Sequence, residues 1–204
     1  MAGEGDRVKS RPFAHPPRRM LIYIHGFNSS SRSGKSRELA AWMAARGLGE
    51  SFACPDLPHR PAEAIALLEG LIAASHHPVK LVGSSLGGFY AAHLAEKHGL
   101  RAVFINPCVG CHAKLSAEIG RLQKNWHSGE EYLFTEQHAA ELDALRVDRM
   151  SRPENCLLLA ETGDEVLDYR EAVTCFAGAK QIVLEGGDHG FSRFTDYIPT
   201  LLEW

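Results

Sequence analysis

The sequence predicts an α/β fold, a mostly parallel sheet of six strands with helices on both faces. Three observations carry this expectation. Short apolar runs alternate with amphipathic stretches along most of the chain. Most of these runs stop at a glycine, proline or asparagine that reads as a turn. Three of the stops are followed by side chains able to do chemistry: a serine, an aspartate and a histidine.

In chain order, Arg19–Ile24 reads as the first strand and ends at His25-Gly26-Phe27-Asn28. A helix from Ser36 to Arg46 is closed by Gly47, and Ser51–Pro55 forms a short second strand. Ala62–Ser75 is an amphipathic helix, apolar at Ile65, Leu68 and Ile72. Val79–Val82 is the third strand, a helix runs on to His98, and Arg101–Ile105 is the fourth strand, stopped by Asn106-Pro107. Residues 108–153 break the rhythm: they are more polar, with helix-like pieces around His112–Gln123 and Thr135–Leu145. So long a span is improbable as a bare loop, and a small helical cap is expected there. Asn155–Ala160 and Gln181–Glu185 are the last two strands, separated by a helix near Asp168–Phe176 and followed by one from about Ser192.

A chain of 204 residues with 45% hydrophobic content suits a single domain, expected over residues 20–204. The formal charge of -3 is spread over both signs, so no basic footprint argues for nucleic acid. No apolar run reaches about 18 residues, so no membrane span is expected. Residues 1–19 are polar, proline-rich and basic, lack the apolar core of a secretory signal, and read as a flexible leader. Five cysteines (Cys54, Cys108, Cys111, Cys156, Cys175) without such a signal imply reduced thiols and a cytoplasmic protein.

The chemistry concentrates at Gly83-Ser84-Ser85-Leu86-Gly87, between a strand and a helix, the context that a nucleophile elbow requires. Glycines at both flanks let strand and helix approach closely, which forces Ser85 into a strained turn. Asp164 in Glu161-Thr162-Gly163-Asp164-Glu165 and His189 in Gly186-Gly187-Asp188-His189-Gly190 each follow a later strand. The order Ser, Asp, His is that of α/β-hydrolases. With that topology, right-handed crossovers order the strands 2-1-3-4-5-6. The antiparallel strands at the N-terminal edge of a full-sized hydrolase are missing.

A serine hydroxyl needs an adjacent base to attack at neutral pH. His189 would take its proton, and Asp164 would hold the imidazole in the right tautomer. Glu161, Glu165 and Asp168 are close enough to compete with Asp164, which could instead cap a helix. The backbone N–H groups of Leu86 and Phe27 are the expected oxyanion donors. His25 reads as an anchor for the Phe27 loop rather than as a catalyst.

Two motifs are read as decoys. Ser33-Gly34-Lys35-Ser36 resembles the end of a phosphate-binding loop, but position 29 is serine where that loop needs glycine. Cys108-Val109-Gly110-Cys111-His112 matches a haem-attachment pattern, but covalent attachment generally requires export and no signal sequence is read; a zinc site would need two further ligands and none has paired spacing. Chance is the leading reading, with a redox-sensitive dithiol near the pocket as the alternative. No metal or cofactor is expected.

The chain resembles the small bacterial YqiA-type esterases. The resemblance rests on Tyr23–Ser30, Val82–Ala91, Thr162–Arg170 and Glu185–His189, and covers nearly everything from Leu21 onward. It implies hydrolysis of carboxylic esters, with thioesters such as acyl-CoA as an extension, and puts Ser85, Asp164 and His189 on the family's triad positions. The leader and the Cys108–His112 segment depart from the pattern. The rival from another class is a non-catalytic ligand- or partner-binding protein on the same scaffold. Oligomeric state and the physiological acyl and alcohol groups are not legible in the sequence.

Overall fold

Buried runs of Leu, Ile and Val place six strands side by side in a computed structural model that describes residues 19–204. The leader expected over residues 1–19 lies, up to residue 18, outside the described residues. In chain order the elements are β1 (Met20–Ile24), α1 (Gly34–Ala44), β2 (Phe52–Ala53), α2 (Pro61–Ala74), β3 (Val79–Ser84), α3 (Leu86–His98) and β4 (Arg101–Ile105). The inserted span holds α4 (Cys111–Lys114), β5 (Leu122–Lys124), β6 (Glu131–Leu133) and α5 (Glu136–Ala144). The sheet resumes with β7 (Cys156–Glu161), α6 (Tyr169–Cys175), β8 (Lys180–Leu184) and α7 (Phe194–Glu203).

The main sheet runs β2-β1-β3-β4-β7-β8, and every neighbouring pair is parallel. With the inserted hairpin left out, this is the order expected from the sequence. Alternate strand residues face opposite sides. Ile22, Ile24, Leu81, Phe104 and Leu158 pack under α2, α3 and α6, whereas Tyr23, Val82, Val103 and Leu159 pack under α1 and α7. Each such side chain, fully buried, contributes about 1.5–3 kcal/mol. The helix ends follow local chemistry. Pro61 opens α2, Ser33 caps α1 through its hydroxyl, and α3 stops at Gly99 in the left-handed region. Lys80 is buried in β3 and donates to the carbonyls of Leu201 and Leu202 at 2.8 and 2.9 Å, satisfying the end of α7. Burial pushes its amine down to about 8.

The inserted span holds an antiparallel hairpin as well as helical pieces. β5 pairs with β6 in the register Leu122↔Leu133, Gln123↔Tyr132 and Lys124↔Glu131. The helical path expected to Gln123 ends early: helical turns stop at Glu118, Ile119 takes ψ 129°, and Gly120 follows at φ 82°. Strict alternation then turns Gln123 and Tyr132 inward and leaves Leu122 and Leu133 exposed.

Cys108 and Cys111 form a disulfide, with Cα atoms 5.5 Å apart. This corrects the expectation of five reduced thiols. A three-residue spacing entering a helical turn brings both sulfurs to one side. Cys54, Cys156 and Cys175 remain free. Burial pushes their thiols up to about 11, 12 and 11, respectively, so they are poor nucleophiles.

Candidate active site

Ser85 follows the last residue of β3 and has φ 56° and ψ -121°, a conformation L-residues rarely adopt. The elbow is held from both sides. The Ser85 N–H donates to the Ile105 carbonyl, while its own carbonyl accepts from Gly88 and Cys108 at 2.9 and 3.0 Å. A Cβ at position 83 would lie 2.3 Å from the Gly87 carbonyl oxygen, and one at position 87 would lie 2.0 Å from the Ile24 oxygen. Only glycine fits at either place.

His189 Nε2 lies 3.1 Å from Ser85 Oγ, and His189 Nδ1 lies 3.0 and 2.9 Å from the two oxygens of Asp164. An ionised carboxylate only accepts, so the proton sits on Nδ1 and Nε2 is free to accept from the serine. The Asp164 side chain is only 2% exposed, and its Oδ1 also accepts from the N–H groups of Val166 and Leu167. The competing acids have other tasks. Glu165 accepts from the His189 backbone N–H, and Asp168 caps α6. Glu161 is fully buried beneath the loop and accepts from the Asp188 N–H.

The supporting roles of two residues, Asn106 and Glu161, escaped the sequence reading. Asn106, at φ 38° just beyond β4, binds the Glu161 N–H through Oδ1 and the loop carrying His189 through its amide. Glu161 also approaches Arg193, and a Cβ at position 187 would strike its carboxyl group. The one local signal was an asparagine placed directly after a buried strand, a residue type that tolerates positive φ.

The loop after β1 runs along the other side of the serine. A Cβ on Gly26 would lie 3.3 Å from that of Ser85. Phe27 and Leu86 both line the cleft, and neither N–H is spent on a backbone acceptor among the described residues. His25 is buried, with Nδ1 3.1 Å from the Gly26 carbonyl and Nε2 accepting from Leu57 N–H. Burial lowers its pKa, which suits a neutral imidazole used as an anchor.

The cleft over Ser85 and His189 encloses about 950 Å³, walled by Phe27, Leu86, Leu115, Trp126, Leu167 and Phe191. Ser33–Ser36 forms the capped start of α1, and Lys35 donates to the Gly190 carbonyl beside the cleft. His112 turns toward Asp143. Among the described residues no metal-ligating cluster forms, and no helix is long and apolar enough to cross a membrane.

The family model described as "Uncharacterised protein family (UPF0227)" matches residues 20–204. The chain belongs to that family. The match agrees with the YqiA-type resemblance carried by the four sequence blocks. A UPF0227 protein of Vibrio atlanticus is 25% identical over 188 residues, covering 89% of this chain and 97% of the relative. A putative hydrolase of Agrobacterium vitis superposes with a TM-score of 0.70 at 18% identity, covering 90% of this chain and 88% of its own. A monoacylglycerol lipase of Paleococcus ferrophilus superposes at 0.69 with 16% identity, covering 94% and 95%. At these identities the likeness establishes the α/β-hydrolase fold.

Proposed function

We propose that this UPF0227 protein is a serine hydrolase that cleaves carboxylic esters through an acyl-enzyme. The observation that most supports this reading is the unbroken line from Asp164 through His189 to Ser85, every step within hydrogen-bond distance. Ser85 Oγ attacks the substrate carbonyl carbon while His189 Nε2 takes its proton. The carbonyl oxygen becomes an oxyanion held by the Phe27 and Leu86 N–H groups. Collapse breaks the C–O bond, and His189 returns the proton to the departing alcohol. Water then attacks the acyl-Ser85 ester with His189 again as base, releasing the acid and restoring the serine. Asp164 keeps the proton on Nδ1 and stabilises the imidazolium in both halves. Thioesters share the acyl half of this chemistry. No cofactor enters the scheme.

The test separates an enzyme from a binding protein on the same scaffold. A fluorophosphonate probe should label wild-type protein at Ser85, and p-nitrophenyl butyrate should be turned over. Ser85→Ala should lose both while melting like the parent. Turnover retained by a folded Ser85→Ala protein would falsify the assignment.

A further inference from the structure

The β5–β6 hairpin holds the loop after β1 through both side-chain and backbone hydrogen bonds. Asn28, the residue after Phe27, is held at φ 53°, in the left-handed region. All three of its polar groups that can reach the hairpin do so. Its side-chain oxygen accepts from the Tyr132 hydroxyl at 2.7 Å, and its amide donates to Gln123 Oε1 at 3.0 Å. Its backbone carbonyl accepts from the Trp126 N–H at 2.9 Å. One residue on, Asn125 Nδ2 donates to the Ser29 carbonyl at 2.8 Å, and Arg32 reaches the His127 carbonyl. The Phe27 ring packs edge-on against Phe134, just past β6.

Gln123 and Tyr132 are cross-strand partners, so one register position supplies both side-chain contacts to Asn28. Tyr132 is itself fixed. Its ring stacks on His59 at 4.3 Å, and burial pushes its phenol up to about 12, which keeps the O–H a donor at working pH. The peptide plane that aims the Phe27 N–H ends at a residue whose neighbour is clamped in a strained conformation from the cap. With Asn28 clamped, that plane has less freedom to turn away from the cleft.

We infer that Tyr132 and Gln123 are positioning residues for the oxyanion loop, acting through Asn28 on the Phe27 N–H. This rests on the proposed role of Phe27 as an oxyanion donor. The cap then contributes to the rate directly, in addition to shaping the pocket. Loss of an oxyanion donor typically costs about 10²- to 10³-fold in rate, and partial misalignment costs less.

The test is the pair Tyr132→Phe and Asn28→Gly, singly and together, in the full chain. Glycine keeps the positive φ without strain. Tyr132→Phe should lower kcat on p-nitrophenyl butyrate by about 10-fold, a fraction of the cost of a lost donor, with KM within about twofold. It should weaken a trifluoromethyl ketone, whose hemiketal anion occupies the oxyanion site, by the same factor. The double variant should lose no more than Asn28→Gly alone, because both act through one contact. Thermal melts show whether each variant folds, and Gln123→Ala provides an independent probe of the same clamp. Wild-type kcat in Tyr132→Phe, a change confined to KM, or additive losses in the double variant would overturn the inference while leaving the hydrolase reading in place. Wild-type protein inert toward ester and fluorophosphonate would overturn both.

Discussion

The side-chain amide of Asn106 donates to the carbonyl of Asp188 at 2.9 Å and to that of His189 at 3.2 Å. One asparagine just beyond β4 thus steadies the loop that carries His189, while its Oδ1 takes the Glu161 N–H on β7. Asn106→Ala strands the buried Glu161 N–H and should cost about 1–3 kcal/mol in urea unfolding. On ester substrates kcat should fall at least about tenfold with KM nearly unchanged, as expected when a base is misaligned. Unaltered kcat in the folded variant would remove Asn106 from the supporting structure.

Asp164→Asn should lower kcat by up to about 10⁴-fold, because an amide can present the wrong tautomer to the imidazole. Glu165→Gln, which contacts His189 through its backbone N–H, should lose less than about tenfold, and Asp168→Asn should behave like the parent. Steady-state kinetics on the three variants ranks the acids. A Glu165 or Asp168 variant more damaged than Asp164→Asn would reassign the carboxylate.

His138 of α5 is 3% exposed and stacks against Phe134, with its Nε2 2.9 Å from His59 Nδ1. Burial first, then the charges of His59 and Arg60, hold its pKa below the ordinary 6.5, against smaller opposing effects of Glu141 and Glu63. Below pH 6.5 the unfolded imidazole binds a proton that the folded one resists. The stability His138 lends the cap is therefore complete above that value and is lost as pH falls toward the folded pKa. Amide exchange over α5, corrected for intrinsic rate, should show weaker protection at pH 5.5 than at 7.5. His138→Gln should flatten the difference, and protection that rises on acidification would contradict the assignment.

Unreduced, denatured protein should expose three titratable thiols, those of Cys54, Cys156 and Cys175, and reduction should raise the count to five. Five thiols before reduction would mean that Cys108 and Cys111 are not joined.

The strands were legible because a parallel sheet covered on both faces demands continuous apolar runs, as in Leu157–Ala160, and such runs stand out without any partner in view. Ser85 and His189 were legible because glycines mark the tight turns that present them. The rest depends on distance in the chain. Asn106 meets its partners 55 to 83 residues away, and no local pattern announces such a bond. β5 and β6 have three residues each, too short for alternation to be told from chance. The Cys108–Cys111 pair reads identically as two thiols or one bond until the backbone turn is known.

A serine held at φ 56° carries a cost of order 1–3 kcal/mol that the surrounding packing must absorb. Ser85→Gly removes the offending Cβ, whereas Ser85→Ala keeps it, so the glycine variant should outlast the alanine variant on heating. Evolution in the laboratory for heat tolerance alone would then drift toward glycine at this position. Any thermostabilised form of the protein has to be checked for the hydroxyl at position 85.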